Sequence, residues 1–166
     1  MRKQELIEWC KHNMEWLGNH KLYATGTTGK LIEDIDAVWR PVHGELYVEK
    51  KGPMLDKVNC LLSGHLGGDQ QIGSRMVDGE IDYLFFFTDP MSMQPHDTDI
   101  KALTRLASVQ NIIFCCNRAT ADHIISSPLF QDSTYSHKPL DFTAYSKRFE
   151  GRDIAAEAVK EEMLGK

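Results

Sequence analysis

The chain has 166 residues, of which 42% are hydrophobic and 26% charged, and its formal net charge is −5. This size predicts one domain with a substantial core, and the composition excludes a disordered or fibrous chain. The acidic balance without a Lys/Arg patch argues against a nucleic-acid partner, and no apolar run is long enough to span a membrane. Without a signal peptide, we expect a cytoplasmic protein whose four cysteines are reduced thiols in the core.

Hydrophobic spacing predicts strands that alternate with helices along the chain. In order, the pattern predicts a helix over 4–17, a strand over 21–24, a helix beginning near 30, a strand over 58–62, a helix to about 77, a strand over 81–87, a helix over 100–109, a strand over 112–116 and a helix over about 119–125. Residues 36–56 form an irregular insertion with a strand-like centre at 46–48, and 142–149 and 154–164 have helical potential. The alternation indicates an α/β fold with a mainly parallel sheet.

The most informative motif is the glycine-rich turn that follows the strand over 58–62. It presents one carboxylate, Asp69, just before a predicted helix. Glycine lets the backbone approach a ligand closely, and α/β sheets bind small molecules at the carboxyl ends of their strands. A helix N-cap is the commoner local role for such an aspartate, and a catalytic carboxylate is the alternative.

A threonine-rich loop, residues 25–29, follows the strand over 21–24. Its hydroxyls and backbone N–H groups at a helix start are typical of a phosphate site, although a turn with a threonine N-cap explains the same residues equally well. Ser63 and Gly64 add a hydroxyl and an N–H group at the end of the next strand.

A third cluster contains His96, Asp97 and Asp99, and Asp89 lies at the end of the preceding strand. A histidine beside carboxylates can polarise a carbonyl or move a proton near neutral pH. The structural alternative is a helix N-terminus with an exposed histidine, and for Asp89 a loop-stabilising role. A metal site is the least favoured interpretation, because no second histidine lies at helical spacing.

Taken together, these motifs resemble those of methylglyoxal synthases, in order and nearly in spacing from residue 3 to 130. The matching segments are 22–29, 62–64 with 67–71, Phe86 with 89–90, 95–103 and 117–122. The resemblance implies a lyase that converts dihydroxyacetone phosphate into methylglyoxal and inorganic phosphate, with no cofactor or metal. It also implies a doubly wound α/β domain over 1–150 with helices on both faces, assembled as a homohexamer, and leaves 151–166 as a C-terminal extension.

The resemblance also assigns roles to site residues. Asp69 matches the catalytic base and His96 the residue that polarises the substrate oxygens, while Asp89 and Asp99 match supporting carboxylates. The phosphate-binding positions match Lys3, Thr25, Thr27, Thr28, Ser63 and Gly64.

The sequence departs from the family in one respect. Family members carry a strand inside the sheet, ending in a His-Asp pair, ahead of the helix that begins near Gln4, and no residues here match it. We therefore expect the first strand to be missing, with two strand edges exposed. Two alternatives to the lyase stay open: a ligand-binding regulatory module of the same fold, as in carbamoyl phosphate synthetase, and an inactive truncated homologue.

Overall fold

Short parallel strands alternate with helices in the computed structural model, which describes residues 2–35, 37, 58–91 and 97–148. In chain order the elements are α1 (Lys3–His12), α2 (Met14–Leu17), β1 (Leu22–Thr25), α3 (26–35), β2 (Val58–Leu61), a 3-10 helix (Gly64–Leu66), α4 (Gly68–Val77), β3 (Tyr83–Phe85), α5 (Asp97–Val109), β4 (Ile113–Cys115), α6 (Arg118–Ser126), α7 (Pro128–Gln131) and α8 (Thr143–Lys147). The predicted order of strands and helices is confirmed. The predicted strand at 46–48 and helix at 154–164 lie outside the described residues.

The structure corrects the bounds of three predicted elements. The first helix breaks at Asn13, whose side-chain amide donates to the Trp9 carbonyl at 2.8 Å. α3 begins at residue 26 instead of near 30, so that the threonine loop belongs to its first turn. The strand predicted over 81–87 covers only Tyr83–Phe85, opposite an equally short β4, although the N–H groups of Phe86 and Thr88 still donate to β4-side carbonyls.

The strands form two parallel pairs. β1 pairs with β2 from Leu22↔Val58 to Thr25↔Leu61, and β3 pairs with β4 from Tyr83↔Ile113 to Phe85↔Cys115. Within the part of the chain that the structure describes, no strand pairing joins β1 to β3. The expected pair of exposed strand edges stays a prediction, since residues 38–57 lie outside the described part of the chain.

Two hydrophobic clusters cover opposite faces of these strands. The first, on the side of α1, α3 and α6, includes Leu6, Trp9, Ile32 and Ile125. The second, on the side of α4 and α5, is made of Ile72, Met76, Ile81, Leu84, Phe86, Leu103, Ala107 and Ile112. Helices on both faces are what a doubly wound α/β domain requires, so the predicted fold class is confirmed. None of the described helices is long and apolar enough to cross a membrane.

A cavity of about 240 Å³ lies between the two strand pairs, and we call it the β1–β3 cleft. Residues of both strands line it, and so do members of both hydrophobic clusters: Leu6, Trp9 and Ala24 from the first, and Ile72, Ile81 and Leu84 from the second. The cleft therefore separates the two halves of the sheet and reaches both layers of the core.

The cysteines differ from the expectation that all are core thiols. Cys10 and Cys115 are buried, and this burial raises the pKa of both thiols to about 12. Cys60 and Cys116 are exposed, so the expectation is wrong for these two. Cys60 lies on β2, which is paired on one side only among the described residues, and Cys116 follows the last residue of β4.

The packing of α1 yields a stability prediction. Trp9 is 1% exposed, its indole N–H donates to Asp122 at 2.9 Å, and its ring lies 4.9 Å from that of Phe85. Trp9→Ala should lower the free energy of unfolding by about 3–5 kcal/mol, because it leaves a large cavity. Trp16→Ala, at a site that is 38% exposed, should cost less than about 1 kcal/mol. Urea unfolding measures both, and equal losses would contradict the assigned packing.

Candidate functional site

The link between β2 and α4 determines where Asp69 lies. Gly67 has φ +96° and ψ 9°, a left-handed conformation that glycine adopts without strain. At Gly68 an added Cβ would lie 2.0 Å from the Leu62 carbonyl oxygen, a distance that no side chain tolerates. The two glycines therefore allow the helix to begin directly against the backbone at the end of β2.

Hydrogen bonds hold this link in place. The Ser63 carbonyl accepts from the N–H groups of Leu66 and Gly68, each at 2.9 Å. The N–H group of Leu62, just past β2, donates to the side-chain oxygen of Gln71 on α4 at 2.9 Å. The end of β2 and the first turns of α4 are thus bonded together in both directions.

Asp69 is the second residue of α4 and is 5% exposed. The N-cap residue of α4 is Gly67, without a side-chain cap bond, so the interpretation of Asp69 as an N-cap is wrong. A Cβ placed on Gly64 would lie 2.9 Å from Asp69 Oδ2 and 3.2 Å from Oδ1, so the carboxylate packs against this glycine. The positive end of the helix dipole stabilises the negative charge at this position.

The threonine loop lies beside this turn. Gly26, the first residue of α3, donates its N–H to the Leu62 carbonyl at 3.1 Å, which joins the ends of β1 and β2. Thr25 immediately precedes the helix, the position of an N-cap, while Thr27 is exposed. Thr28 is 6% exposed, and its hydroxyl oxygen has no hydrogen-bond partner among the described residues. An unpartnered buried hydroxyl in the first turn of a helix is a polar group available to a ligand.

The remaining carboxylates differ in their connection to Asp69. Asp99 lies in the first turn of α5, which begins three residues ahead of the predicted start, and accepts from the side-chain amide of Gln70 at 3.3 Å. Because Gln70 follows Asp69, this bond connects the two carboxylates through one residue. Asp89 accepts from the N–H of Met91 at 3.2 Å, which is the loop-stabilising role left open above.

One predicted site residue, Lys3, has no connection to this group among the described residues. Lys3 is exposed at the start of α1, and no hydrogen bond or ion pair between described residues links it to Asp69 or the threonine loop. His96 lies outside the described residues, and Asp97 begins α5. The structure therefore brings together the threonine loop, Ser63, Gly64, Asp69 and, through Gln70, Asp99.

Sequence reasoning assigned no role to Gln70 and Gln71, which follow Asp69 directly. Each side-chain amide joins α4 to another part of the site, one to α5 and the other to the end of β2. The only signal in the sequence is their position beside the candidate carboxylate. Neighbouring side chains of a helix point to different faces, so two successive amides can bond to two different elements.

The fold and the site define a class: a doubly wound α/β domain with a buried carboxylate and a threonine loop at the carboxyl ends of its strands. The family model described as MGS-like domain matches residues 44–116. A methylglyoxal synthase of Leptospira interrogans is 44% identical over 147 residues, which cover 89% of this chain and 86% of that relative. One from Proteus mirabilis is 46% identical over 145 residues, 87% of this chain and 83% of the relative.

A solved structure indicates the same family. The crystal structure of methylglyoxal synthase from Elizabethkingia anophelis matches with a TM-score of 0.71 and 41% identity, covering 89% of this chain and 84% of that one. The chain belongs to the methylglyoxal synthase family.

The contact between Gly64 and the carboxylate of Asp69 can be tested with a double-mutant cycle. Gly64→Ala should lower the free energy of unfolding by about 1–3 kcal/mol, because the new methyl group displaces the carboxylate. In an Asp69→Ala background the same substitution should cost much less, since the oxygens it meets are absent. Urea unfolding of the four variants measures the coupling, and equal costs in both backgrounds would exclude the contact.

Proposed function

We propose that the protein is a methylglyoxal synthase, a carbon–oxygen lyase that converts dihydroxyacetone phosphate into methylglyoxal and inorganic phosphate without a cofactor or metal. The observation that carries this proposal is the position of Asp69: a buried carboxylate at a helix N-terminus, beside a threonine loop whose Thr28 hydroxyl has no partner among the described residues. The identity to relatives named methylglyoxal synthase, from 41% to 46%, supports the same reaction.

Asp69 acts in this reaction as the general base. It removes a proton from the hydroxymethyl carbon of the substrate, and the electron pair of the broken C–H bond forms an enediolate with the neighbouring carbonyl. The enediolate then loses its hydroxyl proton to form the aldehyde, its double bond shifts to the neighbouring carbon, and phosphate leaves with the electron pair of the broken C–O bond. The resulting enolate takes up a proton at its terminal CH2 carbon to become methylglyoxal. A carboxylate can deprotonate so weak a carbon acid only if donors stabilise the enediolate, the role that the family resemblance gives to His96.

The threonine loop provides the phosphate end of the site. The first-turn N–H groups of α3 lack partners within the helix, and its dipole favours an anion there. The hydroxyls of Thr25, Thr27 and Thr28 are located on this loop, and Ser63 and Gly64 follow the adjacent strand. Holding phosphate here fixes the torsion of the C–O bond that must break, which is a contribution of orientation.

Three further residues complete the proposed site. Asp99, held by Gln70, and Asp89 are supporting carboxylates, and Lys3 adds a cation toward the phosphate. The bond from Met91 to Asp89 is equally consistent with a structural role for that carboxylate.

The wider organisation is also part of the proposal. Residues 1–150 make up the catalytic domain with an insertion at about 36–56, and 151–166 form a C-terminal extension. We infer a cytoplasmic homohexamer that acts on a small phosphorylated substrate, with neither nucleic acid nor membrane as partner. A ligand-binding regulatory module would require the same fold but no proton transfer, so the base is the residue that distinguishes the two functions.

Asp69→Asn tests the base, since it keeps the shape of the side chain and removes its basicity. The rate of methylglyoxal formation should fall by about 10²–10⁴-fold, while inhibition by inorganic phosphate stays within about two-fold. Asp78→Asn, at the exposed carboxyl end of the same helix, is the matched control and should keep full activity. An Asp69→Asn protein with a near-normal rate would eliminate this residue as the base.

Thr28→Val tests the phosphate site, because it replaces the buried hydroxyl with a methyl group. Loss of a hydrogen bond to a charged group should raise the inhibition constant of inorganic phosphate about ten-fold or more. Thr143→Val, at an exposed position of α8, controls for the substitution itself. If inorganic phosphate inhibits both variants and the parent protein equally, Thr28 does not bind the phosphate group.

A further inference from the structure

The backbone of Leu62 lies between the two parts of the proposed site. Its carbonyl accepts from the N–H of Gly26, the first residue of α3, at 3.1 Å. Its N–H donates to the side-chain oxygen of Gln71 on α4 at 2.9 Å. One residue at the end of β2 therefore bonds both to the helix that begins in the threonine loop and to the helix that carries Asp69.

Close backbone contacts surround Leu62. A Cβ on Gly26 would lie 3.2 Å from the Leu61 carbonyl oxygen and 3.4 Å from the Ser63 nitrogen, so the start of α3 packs directly against this link. A Cβ on Gly68 would overlap the Leu62 carbonyl, so the start of α4 packs against it as well. Because the backbones of both helices contact the same short link, their positions depend on each other.

Two hydrogen bonds attach α4 to the end of β2. Gly68 donates its N–H to the Ser63 carbonyl at 2.9 Å, and the side chain of Gln71 accepts from Leu62. The two helix residues lie about 4.5 Å apart along the axis, close to one turn. A helix bonded at one point can pivot about it, whereas two attachments also fix the direction of its axis. Asp69 lies between them, so the bond of Gln71 helps to determine where the carboxylate lies relative to the threonine loop.

We propose that Gln71 is a positioning residue, which holds Asp69 at the reactive distance from the bound substrate through the backbone of Leu62. The inference rests on the proposed function, since it requires Asp69 to be the base and the threonine loop to bind phosphate. The loop holds one end of the substrate, and Asp69 must reach a C–H bond at the other end. Proton transfer is sensitive to that distance, because a displacement of about 1 Å can slow an enzyme reaction about 100-fold.

A purely structural role for Gln71 is the alternative, in which its side chain only satisfies the N–H group at the end of a strand. Leu62 is 51% exposed, so water can accept from its N–H when the glutamine is absent. The structural role therefore predicts a small loss of stability and an unchanged reaction. The positioning role predicts slower proton transfer in a protein that still folds and binds phosphate.

The test compares three variants of the full chain. Gln71→Met removes the acceptor and keeps the length of the side chain, and Gln71→Glu restores an acceptor, because a carboxylate also accepts from an N–H group. Asn59→Leu is the matched control: the Asn59 amide donates to the Leu22 carbonyl at 3.1 Å and so joins β2 to β1 at the end away from the site.

The measurements separate the reaction from binding and from folding. For each variant, kcat and KM are measured with dihydroxyacetone phosphate, together with the inhibition constant of inorganic phosphate and the urea midpoint. Rates are compared on the plateau of each pH profile, since the carboxylate of Gln71→Glu shifts the pKa values of neighbouring acids.

Gln71→Met should lower kcat about 10–100-fold, with KM and the phosphate inhibition constant within about two-fold of the parent values. Gln71→Glu and Asn59→Leu should keep most of the parent kcat. An active parent chain whose kcat is unchanged in Gln71→Met would overturn this inference alone, and so would a Gln71→Glu protein as slow as Gln71→Met. A parent chain that forms no methylglyoxal would overturn the proposed function and this inference with it.

Discussion

The close approach of Gly68 to the Leu62 carbonyl is the constraint on which the site depends. A helix can begin there only because residue 68 has no Cβ, and the bonds from Gly68 to Ser63 and from Leu62 to Gln71 then fix α4 to β2. This geometry buries Asp69 in the first turn of α4. Any side chain at position 68 would clash with the Leu62 carbonyl, and the Asp69 carboxylate would no longer lie at this position.

The half of the molecule that contains the β1–β2 pair, together with the α4–α5 packing, holds most of the candidate site. Gly26 bonds to the end of β2, and Gln70 bonds to Asp99 on α5, so the threonine loop, Asp69 and Asp99 are held by the β1–β2 pair and by the α4–α5 packing. The β3–β4 pair contributes Asp89, which accepts a hydrogen bond from the Met91 N–H of its own loop. The β1–β3 cleft separates these halves, and Thr25 and Thr28 of the threonine loop lie on its border.

Much of this arrangement could be predicted from sequence, because it depends on local pattern. The alternation of strands and helices and the glycine turn are encoded in neighbouring residues. Whether Asp69 is an N-cap or a buried carboxylate inside the helix could not be predicted. A shift of one or two residues in the start of the helix decides between the two, and the sequence pattern does not determine the start that closely. The exposure of Cys60 depends on which strand edges are covered, and a local sequence pattern does not show this. The hydrogen bonds of Gln70 and Gln71 reach elements that are distant in sequence, so a local pattern does not show them either.

The most direct test of the central claim follows both products in one reaction. The unmodified chain is incubated with dihydroxyacetone phosphate, and methylglyoxal and inorganic phosphate are quantified at each time point. If Asp69 deprotonates the substrate and phosphate is then eliminated, the two products should form in equal amounts throughout. Phosphate without methylglyoxal, or neither product from a chain that unfolds cooperatively, would contradict the proposed lyase.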